Sequence, residues 1–162
     1  MKNALLFFCL VFNCKSIAQV STAMPADADA FYQNAMPIIN SQVRNLVVKS
    51  ASDLKNQQVN ADSLIKALHS KSILKGMKDE NIAAVSTLIM VQASMNADED
   101  LKKMVLSMRN NGKNDAEAVQ KINDQKLVLD LILYRKSKMA EEVSLVIKKI
   151  YDNSENIINN LR

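Results

Sequence analysis

Tryptophan is absent from this chain, and glycine, proline and cysteine occur twice each and histidine once among 162 residues. Each scarcity closes a route. Aromatic residues make up 4% of the chain although hydrophobic residues make up 48%. Sheets draw on aromatic and β-branched residues and need turn residues between many short strands, so this composition points to helices. Gly76 and Gly112 stand alone, which leaves no glycine-rich loop to cradle a phosphate and no dinucleotide fingerprint. A lone histidine, His69, builds neither a histidine-based metal site nor a Ser-His-Asp relay; Lys66, Ser70 and Lys71 around it fit an exposed helix end.

Both cysteines, Cys9 and Cys14, fall in a segment that reads as an export signal. Lys2 gives the positive start, residues 4–12 an apolar run, and Ser16-Ile17-Ala18 a small-x-small cleavage pattern, so residues 1–18 are expected to be removed. The apolar run is far short of the roughly 20 residues that cross a bilayer as a helix. Cleavage there leaves a mature chain with no cysteine, hence no disulfide, thiol nucleophile or thiolate metal site. The rival reading takes Val11-Phe12-Asn13-Cys14 as a lipoprotein box with Cys14 lipidated. It is disfavoured, because bulky Phe12 and amide-bearing Asn13 stand where small residues are wanted.

Charge of one sign is also lacking. Lys2 and Lys15 leave with the signal, so 19 basic residues face 17 acidic ones, and they are interspersed. Nucleic acid binding needs a concentrated positive footprint that releases counterions, and none is present.

What remains is helical periodicity. Residues 19–26 read as a flexible leader and 27–162 as one helical domain, within the usual size of a single domain. A first helix is expected over 27–57, with Ile39, Val43, Leu46, Val47, Ala51 and Leu54 on one face. Pro37 lies inside it, so the helix either kinks or restarts with Asn34 as its cap. Asn60 opens a short helix over 61–69, and Gly76 suits a left-handed stop. The next helix starts at Asp79. Asn96 and Glu99 resemble a capping arrangement, which sets a break there against a continuous helix, and continuity is preferred. Gly112 closes this element, and Asn114 with Glu117 opens the last one.

From residue 113 to residue 162 no glycine or proline interrupts. Alternating steps of three and four from Val119 to Leu161 visit thirteen positions, ten of them apolar, including Leu129, Leu133, Val143, Ile147 and Ile150. A stripe held in phase that long is the mark of a coiled-coil or bundle helix, and an unbroken one approaches about 70 Å. Leu127, Val128, Leu131 and Ile132 add apolar residues off the stripe, which predicts contact with more than one neighbour. The expected architecture is all-α: an elongated antiparallel bundle of three to four helices with a long C-terminal coiled-coil-like helix.

Candidate chemistry is sparse. Asp98, Glu99 and Asp100 read as acidic residues of a helix start, and Glu141 and Glu142 as a solvated face; neither group belongs to the Glu-x-x-His pattern of bundle di-metal sites. Met90, Met95, Met104 and Met108 read as packing rather than a soft-metal surface. No catalytic, metal or cofactor-binding residue emerges. The expectation is an exported, non-enzymatic helical scaffold or protein-interaction module of the bacterial envelope, periplasmic or secreted. It would bind a protein partner, or itself, through the stripe Leu129, Leu133, Val143, Ile147 and Ile150, with no nucleic acid. The alternatives are a membrane-active helical protein and an enzyme or small-ligand carrier that uses carboxylates or tyrosines such as Tyr134 inside the bundle.

Overall fold

The computed structural model describes residues 22–54, 60–110 and 116–162. The export signal with Cys9 and Cys14, and the punctuation at Gly112 and Asn114, lie outside the described residues. Every regular element among those described is a helix: α1 (Ala26–Ala35), α2 (Ser41–Asp53), α3 (Ala61–His69), α4 (Asp79–Asn110), α5 (Ala116–Ile150) and α6 (Ser154–Asn160).

Helix α1 follows Pro25 and carries Asp27 and Asp29 in its first turn, where carboxylates meet the positive end of the helix dipole. It buries Ala28, Phe31, Tyr32 and Ala35, at the i, i+3, i+4, i+7 spacing of one face. Pro37 divides α1 from α2, but neither by a kink nor through Asn34. The chain leaves α1 at Met36, and the next helix is capped by Asn40, whose Oδ1 accepts from the Val43 amide at 2.9 Å. Arg44 closes the intervening turn by donating to the carbonyls of Pro37 (2.9 Å) and Ile39 (3.1 Å).

Asn60 caps α3 as its sequence position implies, accepting from the Ser63 amide at 2.9 Å. Helix α3 also receives help from a distance. The Ala61 amide donates to Glu142 Oε2 at 3.0 Å, so Glu142 is a half-buried cap on another helix rather than part of a solvated face. Gly76 takes the left-handed conformation at φ 83°, with no neighbour near enough to object to a side chain; its role is conformational, and it follows a short 3₁₀ turn, Ser72–Leu74.

Helix α4 runs unbroken through Asn96. The Asn96 side chain accepts from Gln92 Nε2 at 3.0 Å within the helix, so it does not cap a new start. The first half of α4 is the centre of the fold. It contacts α1, α2, α3, α5 and α6, and from Ile82 to Val91 only Ala83 is not fully buried. Such all-round burial is possible because its polar members look after themselves: Ser86 Oγ and Thr87 Oγ1 donate back to the Ala83 carbonyl at 2.7 and 3.1 Å.

Helix α5 is the longest element, at 35 residues, yet it ends at Ile150 and not at residue 162. A 3₁₀ turn, Tyr151–Asn153, follows, and then α6. No glycine or proline forces the change. Asp152, Asn153 and Ser154 are residues whose short polar side chains compete with helix hydrogen bonds, and Asn153 Nδ2 reaches Glu80 Oε2 on α4 at 3.2 Å. The bend lets Ile157, Ile158 and Leu161 enter the core. Asn40 then fastens the end: its backbone N–H and its Nδ2 both donate to the Leu161 carbonyl, at 2.9 and 3.1 Å.

Candidate interaction surface

Two cross-links fix how α4 and α5 lie together. Lys136 Nζ pairs with Asp98 Oδ1, and Gln125 Nε2 donates to Ser107 Oγ at 2.8 Å. Moving forward along α4 from 98 to 107 means moving backward along α5 from 136 to 125, so the helices run antiparallel as a hairpin.

That hairpin has two unlike parts. Near the bundle, α4 and α5 are covered by the other helices, and Met139, Val143, Val146, Ile147 and Ile150 of α5 are buried. Further out, none of residues 98–108, 120, 121 and 123–135 is buried. This outer part, an arm of two helices, exposes Val105 and Leu106 on α4 and Leu127, Val128, Leu131, Leu133 and Tyr134 on α5; Leu127 is 70% exposed.

The stripe residues divide along the same line. Val143, Ile147 and Ile150 lie in the core, Leu129 is half-buried on the arm, and Leu133 is at the surface. The extra apolar residues at 127–132, which the sequence assigns to several neighbours, lie along α4 and meet the end of α2 only across an open cleft, and Leu127, Val128 and Leu131 remain exposed. The segment that is covered on all sides is residues 84–91 of α4 instead. Serine and threonine broke its apolar run in the sequence, and their back-bonding within the helix is what makes them admissible there.

Where the bundle gives way to the arm, α2, α4 and α5 enclose an open cleft of about 580 Å³. Its walls are Ala51 and Leu54 from α2 and the turn after it, Ala93 and Ala97 from α4, and Leu131, Ile132 and Met139 from α5. Asn96, Glu99, Asp100 and Arg135 bring polar atoms to it. Tyr134 is not part of this cleft. It is 58% exposed on the outer side of α5, which removes it from any role inside the bundle.

The remaining candidates are scattered. His69 is exposed at the end of α3, with Nε2 3.6 Å from Asp79 Oδ1. Met90 is in the core, Met95 is exposed, and Met104 and Met108 are half-buried along the arm. Among the described residues no three His, Cys, Asp or Glu side chains converge, and no helix is long and apolar enough to cross a membrane. The short polar link that sequence reasoning missed is Lys136. It occupies a stripe position, is nearly buried, and is made tolerable by Asp98 on α4. Lysine in a mostly apolar stripe was the available signal.

No family model matches the chain, and neither do any curated protein or any solved structure.

Proposed function

We propose that this protein is an exported, non-enzymatic interaction module of the bacterial envelope or exterior: an elongated antiparallel helical bundle whose α4–α5 arm, packed in coiled-coil fashion, is the working part. One observation carries the reading. Val105, Leu106, Leu127 and Tyr134 stand exposed on a two-helix arm, outside the cleft that the end of α2 shares with it. Scattered apolar residues are normal on a surface, but a concentration on a two-helix arm is the form that a partner-docking surface takes. Export rests on the three-part N-terminal pattern ending at Ala18, which would place the arm in the periplasm or outside the cell.

The test is site-specific photo-crosslinking in the envelope fraction of expressing cells, with the photoreactive residue at Leu106 or Leu127 on the arm and at Lys66 on α3 as control. Discrete adducts from both arm positions are the expected result, with those from the probe at Leu106 lost on Leu127→Lys with Leu131→Lys. Equal or absent labelling at all three positions, or full-length unprocessed protein in the cytoplasm, overturns it.

A further inference from the structure

The side of α5 that faces away from the core carries its own heptad ridge. Tyr134, Lys138, Glu141 and Leu145 follow at steps of four, three and four, the spacing that keeps residues on one face, and they lie about half a turn from the buried Val143 and Ile147. Leu145 is 63% exposed, although it sits beside the bundle and not on the arm. Lys138 Nζ and Glu141 Oε2 are 2.6 Å apart at the middle of the ridge.

Reversal leaves this pattern unchanged in spacing and opposite in charge at its centre. We propose that a second copy of this chain is the occupant of the ridge, paired antiparallel across a two-fold axis between Ala140 and Met139. In that alignment Tyr134 meets Leu145 of the other copy, and Lys138 meets its Glu141, twice over because the interface is isologous. Further out, Leu131 lies against the aliphatic stem of Lys149, and exposed Asp130 is set across from exposed Lys148 on the same flank. A second copy presents both complementary halves of this pattern by construction. The contact is small, so the dimer belongs with weak, concentration-dependent complexes.

The inference rests on reading α5 as an interaction helix and narrows the partner to self. Sedimentation equilibrium of the chain without residues 1–18, from micromolar to submillimolar concentration, is expected to show monomer passing to dimer. Leu145→Lys abolishes the dimer, with the melting temperature as a check that this exposed substitution leaves the fold intact. Lys138→Glu and Glu141→Lys are each monomeric, since each places like charges across the axis. Mixed in equal amounts they recover a species of twice the mass, because every facing pair is then opposite in sign. That recovery separates pairing between copies from the Lys138–Glu141 bond within one helix. A wild type that stays monomeric throughout, a Leu145→Lys variant that still dimerises, or a charge-mixed sample that stays monomeric overturns the proposal. If those failures coincide with discrete crosslinks from the arm at Leu127, only self-pairing falls.

Discussion

The inner and outer halves of α5 carry the same kind of sequence and end in opposite surroundings. Val143, Ile147 and Ile150 recur at helical spacing and are sealed; Leu129 and Leu133 recur in the same phase and are respectively half-buried and exposed. The difference lies in the neighbours. Inner α5 has the buried half of α4 on one side and contacts with α1 and α3 on others, whereas outer α5 packs on outer α4 and faces the end of α2 only across the open cleft. Periodicity states which residues share a face. It is silent on how many elements will cover that face, and two helices side by side leave the far surface of each in water.

The sharpest way to break the comparison is to shorten one apolar residue in each half. Ile147→Ala removes buried methylenes from a packed core and is expected to cost about 2–5 kcal/mol. Leu127→Ala removes a side chain that is mostly in water already, and is expected to change stability by less than about 0.5 kcal/mol. Urea denaturation of both variants measures the contrast. Comparable losses would mean that the arm is covered as fully as the bundle, and the comparison would fail.

Much of the fold was legible in the sequence, and the misses have two causes. Asn60 as a cap, Gly76 in the left-handed region and a continuous α4 follow from local rules, in which a side chain answers to backbone a few residues away. Asn40 escaped because Pro37, three residues earlier, drew the expected restart towards Asn34. The end of α5 escaped because what turns the chain there is tertiary: Asn153 reaches Glu80, and Asn40 holds the Leu161 carbonyl from 121 positions away. The interaction surface was half legible. The surplus of apolar residues at 127–132 was visible, but its exposure depends on where α1, α2 and α3 stop, and no local pattern on α5 records that.

Lys136 offers a subtler probe at the boundary between the halves. Its amine is nearly buried and faces Asp98, whose carboxylate is about half exposed. Asp98→Ala leaves that amine without its partner in a poorly hydrated place, and is expected to cost about 2 kcal/mol. Lys136→Leu returns the stripe to an apolar residue and gives Asp98 back to water, with an expected change below about 1 kcal/mol in either direction. Thermal denaturation of the two variants reads the asymmetry directly. Equal losses would show that the pair itself, and not the burial of lysine, sets the cost.

The smallest effect is one of pH, and it belongs to the inner half alone. Burial holds the Tyr32 phenol above its ordinary value of 10.0, because ionisation would place a charge among α1, α4 and their neighbours; its hydroxyl donates to Gln92 Oε1. A group whose folded-state value is raised binds its proton more tightly in the folded state. Its contribution is therefore fully present below about pH 10.0 and is lost as the pH climbs through the raised folded-state value. Tyr32→Phe gives up the hydrogen bond, at a neutral-pH cost of about 0.5–1.5 kcal/mol, and with it this alkaline slope. Stability measured against pH from neutral upward is expected to show the wild-type and variant curves parallel at first and converging on the alkaline side. Curves that stay parallel throughout would mean that Tyr32 ionises as easily folded as unfolded, and that α1 does not seal the inner end of the molecule as its contacts imply.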